Sequence, residues 1–263
     1  MPFLRDAMLS TTIYRLIKGQ FMGMMFMVFG AGILFEQIFI LPFLLVYERI
    51  AGPDPRRIQG VHRFLFTIWL RLLKAGGLLK TLPSKGKVMD GPCIIVANHP
   101  GLFDIIVLIR DIPKMSVLAK SDLRSQLGLG PIFRLSGYVF EPGRSDAFEA
   151  MEPVKIAMDL LRQGFKFMLF PEGTRSPKGG MLPFSAGAFK LSRKANVPVQ
   201  PVLIRNIPPF LSHEDQWYNP PQETSTIELE FLEPIPPPKE GKEQAEAVKL
   251  ENHYRKILGY GGQ

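Results

Sequence analysis

His99 and Asp104 stand five positions apart in the segment NHPGLFD and could act together on a proton. An apolar run at 94–97 leads into His99 and is typical of a buried strand. Residues five apart on an unbroken helix point away from each other, so the turn at Pro100-Gly101 is needed to bring the two side chains together. An imidazole oriented by a carboxylate can take a proton from a hydroxyl near neutral pH. Read alone, the segment also fits a histidine that ends a strand beside an aspartate that caps a helix.

A second segment whose residues could bind a ligand follows another apolar run further along the chain. The run FKFMLF at 165–170 continues directly into PEGTRS at 171–176. Gly173 allows a backbone to approach a ligand closely, and Arg175 offers a planar guanidinium suited to phosphate or carboxylate. Read alone, this segment also fits a turn with a surface arginine.

The ordered pair NHxxxxD and FPEGTRS resembles the glycerolipid acyltransferases of the 1-acylglycerol-3-phosphate acyltransferase family. Two further blocks extend the resemblance to residues 85–235. GYVF at 137–140, leading to Arg144, occupies the place of the family's middle block, and VPVQP at 197–201 matches its apolar V-P-x-x-P block. The sequence departs from the family at Glu141-Pro142-Gly143, where the family more often has a hydrophobic residue and an aspartate before the arginine.

The resemblance implies transfer of an acyl group from a thioester to a lipid hydroxyl. In that reaction His99 is the general base, and Asp104 fixes the tautomer of the imidazole and stabilises its charged form. Arg175 and Arg144 bind the acceptor phosphate. The other residues that the resemblance assigns to the substrate site are Glu172, Gly173 and Thr174.

The resemblance also implies the substrates. The acyl donor is the thioester of coenzyme A or of acyl carrier protein, and no other cofactor is expected. The acceptor is a lysophospholipid, most directly 1-acylglycerol-3-phosphate, which becomes phosphatidic acid. A non-phosphate acceptor such as an ornithine lipid is the alternative. A hydrolase that activates water, and a non-catalytic lipid-binding protein, also stay open.

Direct attack without an acyl-enzyme agrees with the absence of a G-x-S-x-G motif from the sequence. The nearest string, PFSAG at 183–187, lacks the first glycine. The single cysteine, Cys93, excludes an intrachain disulfide, suits a reducing compartment and is expected in the core. The four histidines show no metal-ligand spacing, so no metal site is predicted.

The positive charge of the chain is concentrated near its start. The net charge is +8, and residues 1–90 hold 12 Lys and Arg against 5 Asp and Glu. No zinc spacing, basic helix or RNA-binding aromatic motif accompanies this charge, so nucleic acid is not an expected partner. Basic residues that flank apolar stretches are typical of contact with anionic lipid. Membrane lipids are therefore the expected surface partner.

Residues 21–47 are almost wholly apolar and are interrupted by Glu36-Gln37. They fit one transmembrane helix, or two shorter helices that divide near that pair and dip into one leaflet. A carboxylate near mid-bilayer costs about 2.5 kcal/mol or more, which favours the dip. Basic residues on both sides of the segment give no clear orientation bias, which suits a segment with both ends on the cytoplasmic face. The expected location is the cytoplasmic face of the cell inner membrane.

After Gly91 the pattern alternates between apolar strands and helical segments, which predicts an α/β domain with a mostly parallel central sheet flanked by helices. We divide the chain into a membrane-associated helical region at 1–84 and an acyltransferase domain at 85–263. Ligands in such sheets bind beyond the carboxyl ends of the strands, where His99, Arg144 and Arg175 all fall. The predicted strands are 93–97, 115–119, 137–141, 165–170, 198–204 and 226–232, and the predicted helices are 103–111, 122–134, 146–163, 185–195 and 243–258.

Overall fold

The computed structural model describes residues 2–121, 129–141, 151–212, 214–216 and 218–260, with only the backbone described at 2–12 and at 129. The helices are α1 (Pro2–Phe35), α2 (Leu41–Ala51), α3 (Pro55–Ala75), α4 (Asp104–Asp111), α5 (Leu129–Leu135), α6 (Met151–Arg162), α7 (Gly187–Ala195) and α8 (Glu243–Leu258). The strands are β1 (Leu79–Thr81), β2 (Ile94–Ala97), β3 (Met115–Ala119), β4 (Val139–Phe140), β5 (Lys166–Leu169), β6 (Val199–Ile207) and β7 (Ser225–Phe231).

The strands form one seven-stranded sheet in the order β1-β7-β6-β2-β5-β3-β4. Strands β6, β2, β5, β3 and β4 run parallel, whereas β7 is antiparallel to β6 and β1 is parallel to β7. The predicted α/β class with a mostly parallel sheet is confirmed. Because the parallel strands end at one edge, the loops after β2, β5 and β6 meet there.

The two faces of the sheet are covered by different helices. Ile95 and Ala97 of β2 face the core under α1, α3 and α4, whereas Ile94 and Val96 face the core under α6, α7 and α8. This alternation is the period of two expected of a strand buried on both faces. Such burial explains why these strands appear in the sequence as unbroken apolar runs.

Strand β1 was not predicted. It has only three residues, the sequence LKT, and it is defined by its pairing with β7 rather than by a local apolar pattern. It takes the edge of the sheet beside β7. The strand lies before the predicted domain boundary at residue 84 and belongs to the same sheet as the strands after it. The division of the chain into two regions stays a prediction.

The N-terminal apolar segment is helical throughout. A π-helical turn at Glu36–Ile40 joins α1 to α2, so the predicted division near Glu36-Gln37 is a local widening of the helix and not a loop between two helices. Within the described residues, the helical stretch Ile13–Ala51 is long and apolar enough to cross a membrane, by length and composition. Spanning or dipping into a bilayer stays a prediction.

The carboxylate in this segment has a protein partner. His62 Nε2 of α3 lies 2.8 Å from Glu36 Oε1, and both side chains are only 6% exposed. The other ring nitrogen of His62 lies 3.5 Å from the hydroxyl of Tyr138. The prediction placed this carboxylate in lipid, where it favoured two dipping helices, but the side chain is buried against protein instead.

One face of α1 is docked on the α/β domain. Met25 is buried, and its carbonyl accepts a hydrogen bond from Trp69 Nε1 at 3.2 Å. Lys18 is also buried, and its Nζ donates to the carbonyls of Gln222 at 2.6 Å and Pro221 at 3.3 Å. Other apolar side chains of the segment stay uncovered, among them Met27, Phe39, Phe43, Val46 and Ile50.

Candidate active site

His99 and Asp104 meet at the carboxyl edge of the sheet. His99 follows β2, Asp104 is the first residue of α4, and His99 Nδ1 lies 3.1 Å from Asp104 Oδ2. Asp104 is fully buried, whereas the histidine side chain is 14% exposed. A carboxylate at Nδ1 favours the tautomer with its proton there, which leaves the lone pair on Nε2. The pair therefore has the geometry of a general base with an orienting carboxylate.

The turn between these residues depends on a glycine. The backbone N–H of Gly101 donates to Asp104 Oδ2 at 2.6 Å. A Cβ on Gly101 would collide with the carbonyl of Phe210 and with the side-chain amide of Asn206. Glycine is thus needed at this position because two neighbouring groups occupy the space of a side chain.

The second oxygen of Asp104 has its own donor, Asn206. Asn206 Nδ2 donates to Asp104 Oδ1 at 3.1 Å, and Asn206 Oδ1 accepts the backbone N–H of Phe210 at 3.2 Å. Asn206 is buried near the end of β6. The sequence reasoning missed it because the predicted strand ended at residue 204. A polar residue at the carboxyl end of a parallel strand was the available signal.

The imidazole of His99 is also fixed by stacking. The ring of Phe170 lies parallel to it, with centroids 3.8 Å apart and planes 7° from each other. Phe170 is the residue directly after β5, the strand beside β2. The histidine therefore has a carboxylate at one ring nitrogen and an aromatic face against its plane, which leaves it few orientations.

Glu172 joins the second predicted segment to the histidine. Its Oε1 accepts the backbone N–H of His99 at 3.1 Å and the hydroxyl of Ser176 at 2.7 Å, and its Oε2 accepts the N–H of Leu182 at 2.8 Å. Ser176 N donates to the carbonyl of His99 at 2.8 Å. Burial raises the pKa of Glu172, against which these three hydrogen bonds act. The carboxylate therefore acts on the structure by holding two loops together.

Gly173 and Thr174 form the bend between Glu172 and the arginine. Gly173 has a φ of +70°, a conformation that L-residues rarely adopt, and its N–H donates to the carbonyl of Phe170 at 3.1 Å. Thr174 is partly buried. A role of either residue in binding substrate stays a prediction.

Arg175 is held against a distant segment of the chain. Its Nη1 donates to the carbonyls of Leu211 at 2.8 Å and Ser212 at 2.9 Å. Asp215 fixes this segment in turn, because its Oδ2 accepts the N–H of Ser212 at 2.9 Å and the Ser212 hydroxyl at 2.8 Å. A guanidinium has five N–H donors, so two bonds from Nη1 leave others for an anion.

The structure thus brings His99, Asp104, Glu172 and Arg175 to one edge of the sheet. Arg144, the other predicted phosphate ligand, lies in 142–150, outside the described residues. The described residues contain no group of three or more His, Cys, Asp or Glu that could hold a metal ion, and the prediction of no metal is left as it stands. Burial raises the pKa of the Cys93 thiol to about 12, so this cysteine is neutral and unreactive.

A separate surface pocket of about 580 Å³ shares no residue with the site described above. It lies at the other end of α4 and is lined in part by Arg63, Lys87 and Arg110. The guanidinium of Arg110 is already engaged, because it pairs with both oxygens of Asp111 and donates to the hydroxyl of Thr81. The chemistry predicted from the sequence lies at the His99 edge and not in this pocket.

Comparison with known proteins gives consistent matches. The Acyltransferase family matches residues 79–205. The chain is 33% identical over 149 residues to the human 1-acyl-sn-glycerol-3-phosphate acyltransferase beta, which covers 55% of this chain and 51% of the human protein. It is 35% identical over 125 residues to the Saccharomyces cerevisiae 1-acyl-sn-glycerol-3-phosphate acyltransferase, which covers 46% of this chain and 41% of the yeast protein. The matches thus span about half the length of these relatives or less.

A solved structure resembles the whole fold. It is that of PlsC, the 1-acyl-sn-glycerophosphate acyltransferase of Thermotoga maritima, with a TM-score of 0.64. The match covers 96% of this chain and 99% of the Thermotoga chain at 22% sequence identity. At that identity the likeness describes the fold, N-terminal helices included, and not the substrate.

Proposed function

The chain belongs to the acyltransferase family through residues 79–205, and from this premise we propose that it acylates a lysophospholipid. The donor is an acyl thioester of coenzyme A or acyl carrier protein. The acceptor is 1-acylglycerol-3-phosphate, and the product is phosphatidic acid. The relatives that share about 30% identity with this chain carry the corresponding name, which supports this choice of acceptor.

The observation that carries the proposal is the distance of 3.1 Å between His99 Nδ1 and Asp104 Oδ2. In the proposed reaction Nε2 of His99 takes the proton of the acceptor hydroxyl while the oxygen attacks the thioester carbonyl. Asp104 stabilises the imidazolium that forms. The tetrahedral intermediate then expels the thiolate, which receives the proton from His99. A new ester and a free thiol result, and no acyl-enzyme is formed.

The acceptor phosphate is assigned to Arg175, with Arg144 as its proposed partner. Arg175 precedes Ser176, whose N–H donates to the carbonyl of His99, so the guanidinium starts from the same loop that contacts the base. Its Nη1 is anchored on the carbonyls of Leu211 and Ser212. An arginine fixed in this way presents its remaining N–H groups in a set direction, which suits recognition of a phosphate.

A non-phosphate acceptor such as an ornithine lipid is the second candidate. One feature of the sequence favours it. The sequence has Glu141-Pro142-Gly143 where the family more often has a hydrophobic residue and an aspartate before the arginine.

We assign the protein to the cytoplasmic face of the cell inner membrane, anchored by its N-terminal helical segment. Phe43 and Ile50 of α2 are 74% and 82% exposed, and no side chain of the described domain covers them. Exposed apolar side chains on a helix beside basic residues are typical of lipid contact. An enzyme whose acceptor is a membrane lipid requires contact with a bilayer.

The test uses the purified full-length protein in lipid vesicles with mixed donors and mixed acceptors. Lysophosphatidic acid, a phosphate-free lyso-lipid and an ornithine lipid are offered together, and the acylated products are identified by mass spectrometry. Phosphatidic acid is the expected main product. If only the phosphate-free lipids were acylated, the proposed acceptor would be wrong and the second candidate would take its place. Loss of the thioester at the full rate without any acceptor would indicate a hydrolase.

The variant His99→Ala provides the mechanistic arm of the same experiment. Loss of a general base lowers turnover by about 10²- to 10⁴-fold. His253→Ala is the matched control, because His253 is exposed on α8. Near-normal transfer by His99→Ala, with the control also active, would contradict the mechanism.

A further inference from the structure

Asn206 is a buried amide that contacts the candidate catalytic pair and belongs to none of the segments that suggested the function. It lies near the carboxyl end of β6, the strand that pairs with β2. It is only 4% exposed. A buried polar side chain at this edge requires partners, and both ends of this amide have them.

The two ends of the amide serve two different parts of the site. Nδ2 donates to Asp104 Oδ1 at 3.1 Å, the oxygen that does not face the histidine. Oδ1 accepts the N–H of Phe210 at 3.2 Å. The residues after Phe210, Leu211 and Ser212, supply the carbonyls that hold Arg175. One side chain therefore bonds both the carboxylate behind the base and the segment behind the arginine.

The carboxylate of Asp104 needs a hydrogen-bond donor on each oxygen to stay in one orientation. Oδ2 is shared by His99 Nδ1 and the N–H of Gly101, and Oδ1 is bound by Asn206. Without the second donor the carboxylate could rotate about its terminal bond, and the hydrogen bond to the imidazole would lose its alignment. The space left by Gly101 is what lets the amide approach.

We propose that Asn206 is a positioning residue for the acyl transfer, an inference that rests on the proposed function. It holds the carboxylate of Asp104 in the orientation that fixes His99. Through its bond to Phe210 it also fixes the position of the segment 210–212, which holds Arg175. Asn206 does not touch the reacting atoms in this account. Its effect on the reaction passes through Asp104 on one side and through the loop on the other.

A second buried asparagine in the same region has different partners. Asn98 Nδ2 donates to the carbonyl of Ile204 at 2.9 Å, and Asn98 Oδ1 accepts the N–H of Ile204 at 2.7 Å. It therefore bonds only backbone groups, although it directly precedes His99. The two amides differ in their partners and not in their burial.

The variant Asn206→Asp separates the two bonds of the amide. An aspartate keeps an acceptor for Phe210 N–H, but it can donate to Asp104 only while one of the two carboxyls is protonated. Two neighbouring carboxylates share a proton, which raises the pKa of the pair above the usual range. As pH rises through that pKa, the donor is lost and the carboxylates repel each other.

The measurement is the pH profile of kcat together with KM for the acceptor. The wild-type profile is the reference. Asn206→Asp should show a new fall in kcat on the alkaline side, by about 10- to 100-fold, with KM for the acceptor unchanged. Asn206→Ala removes both bonds, so both a loss of kcat and a rise in KM are expected.

The control variant is Asn252→Asp, at an exposed position of α8, which should leave the pH profile of kcat unchanged. Should Asn206→Asp fail to fold, Asn206→Ala decides the question through its kcat and KM. Wild-type kinetics in the folded Asn206 variants, while His99→Ala is inactive, would overturn this inference alone. An active His99→Ala would instead overturn the proposed function.

Discussion

The carboxylate of Glu172 accepts the backbone N–H of His99 at 3.1 Å, although the two residues come from the ends of different strands. The same carboxylate accepts a hydrogen bond from Leu182. The backbone at the candidate base is thus fixed by a residue of the second motif, so the two motifs act as one structural unit. This relationship explains why the histidine and the PEGTRS segment are useful only together.

Burial of this carboxylate predicts a pH dependence of stability. The pKa of Glu172 is raised above its ordinary value of 4.5, so the folded state binds a proton more tightly than the unfolded state does. Its contribution is therefore fully present below about pH 4.5 and is lost as pH rises through the raised pKa. We therefore expect Glu172→Gln to lose less stability than the wild type as pH rises above about 4.5.

Thermal unfolding across this pH range measures the difference. Glu233→Gln is the control, because Glu233 is exposed and its replacement should leave the pH dependence unchanged. Equal pH slopes for Glu172→Gln and the wild type would contradict the prediction.

Asp104→Asn tests the charge of the carboxylate with little change in shape. The amide cannot stabilise the imidazolium, and its NH₂ group presents a donor where either His99 or Asn206 now finds an acceptor. We expect kcat to fall by about 10²- to 10⁴-fold, with a smaller change in KM. Asp111→Asn, at the other end of α4, is the matched control and should keep its activity. Equal loss in both variants would point to a general defect of the helix.

Gly101→Ala tests the close approach at the turn. The new methyl group meets the carbonyl of Phe210 and the amide of Asn206, so we expect a destabilisation of about 1–3 kcal/mol with loss of activity. Gly60→Ala should do the opposite, because Gly60 lies within α3 with open space around it and alanine favours a helix by about 1 kcal/mol. Denaturant unfolding of both variants provides the free energies. A neutral Gly101→Ala would show that the turn can relax.

Arg175→Lys tests the proposed acceptor contact. A lysine keeps the charge but loses the planar fork, and it cannot make two carbonyl bonds while it also faces a phosphate in the same geometry. We expect KM for lysophosphatidic acid to rise by about 10-fold, the effect of losing one good charge-assisted hydrogen bond. Arg162→Lys, on the exposed face of α6, should leave KM unchanged. An unchanged KM in Arg175→Lys would favour the acceptors that lack phosphate.

The pair of Glu36 and His62 predicts coupling between the N-terminal segment and the domain. Removing one member leaves a buried polar group without its partner, so His62→Leu should destabilise the protein by about 3 kcal/mol or more. The double variant Glu36→Leu/His62→Leu should recover most of that loss, because neither side chain of the pair is left buried without the other. Unfolding in detergent, monitored by tryptophan fluorescence, compares the variants. Purely additive effects would show that the two side chains do not interact.

The sequence was sufficient for features set by short stretches of chain. The apolar runs before His99 and before Pro171 predicted their strands, and the Pro-Gly turn predicted that His99 and Asp104 would meet. The edge at which the motifs gather followed from the rule for parallel sheets.

Features that depend on distant pairing could not be predicted. Strand β1 exists through its partner β7, and the role of Asn206 depends on β6 lying beside β2. The π-helical turn at Glu36–Ile40 likewise accompanies a histidine of another helix, so the glutamate offered no local sign of a protein partner.

Lys18 ends on the carbonyls of Gln222 and Pro221 instead of on lipid headgroups. Its neighbour Gly19 lies so close to the carbonyl of Tyr218 that a methyl group would not fit. The long helix is therefore bound to the loop region that follows β6, and it cannot move along its axis independently of the domain. In a bilayer, the depth at which the helix is inserted would therefore set the height of the candidate active site above the lipid.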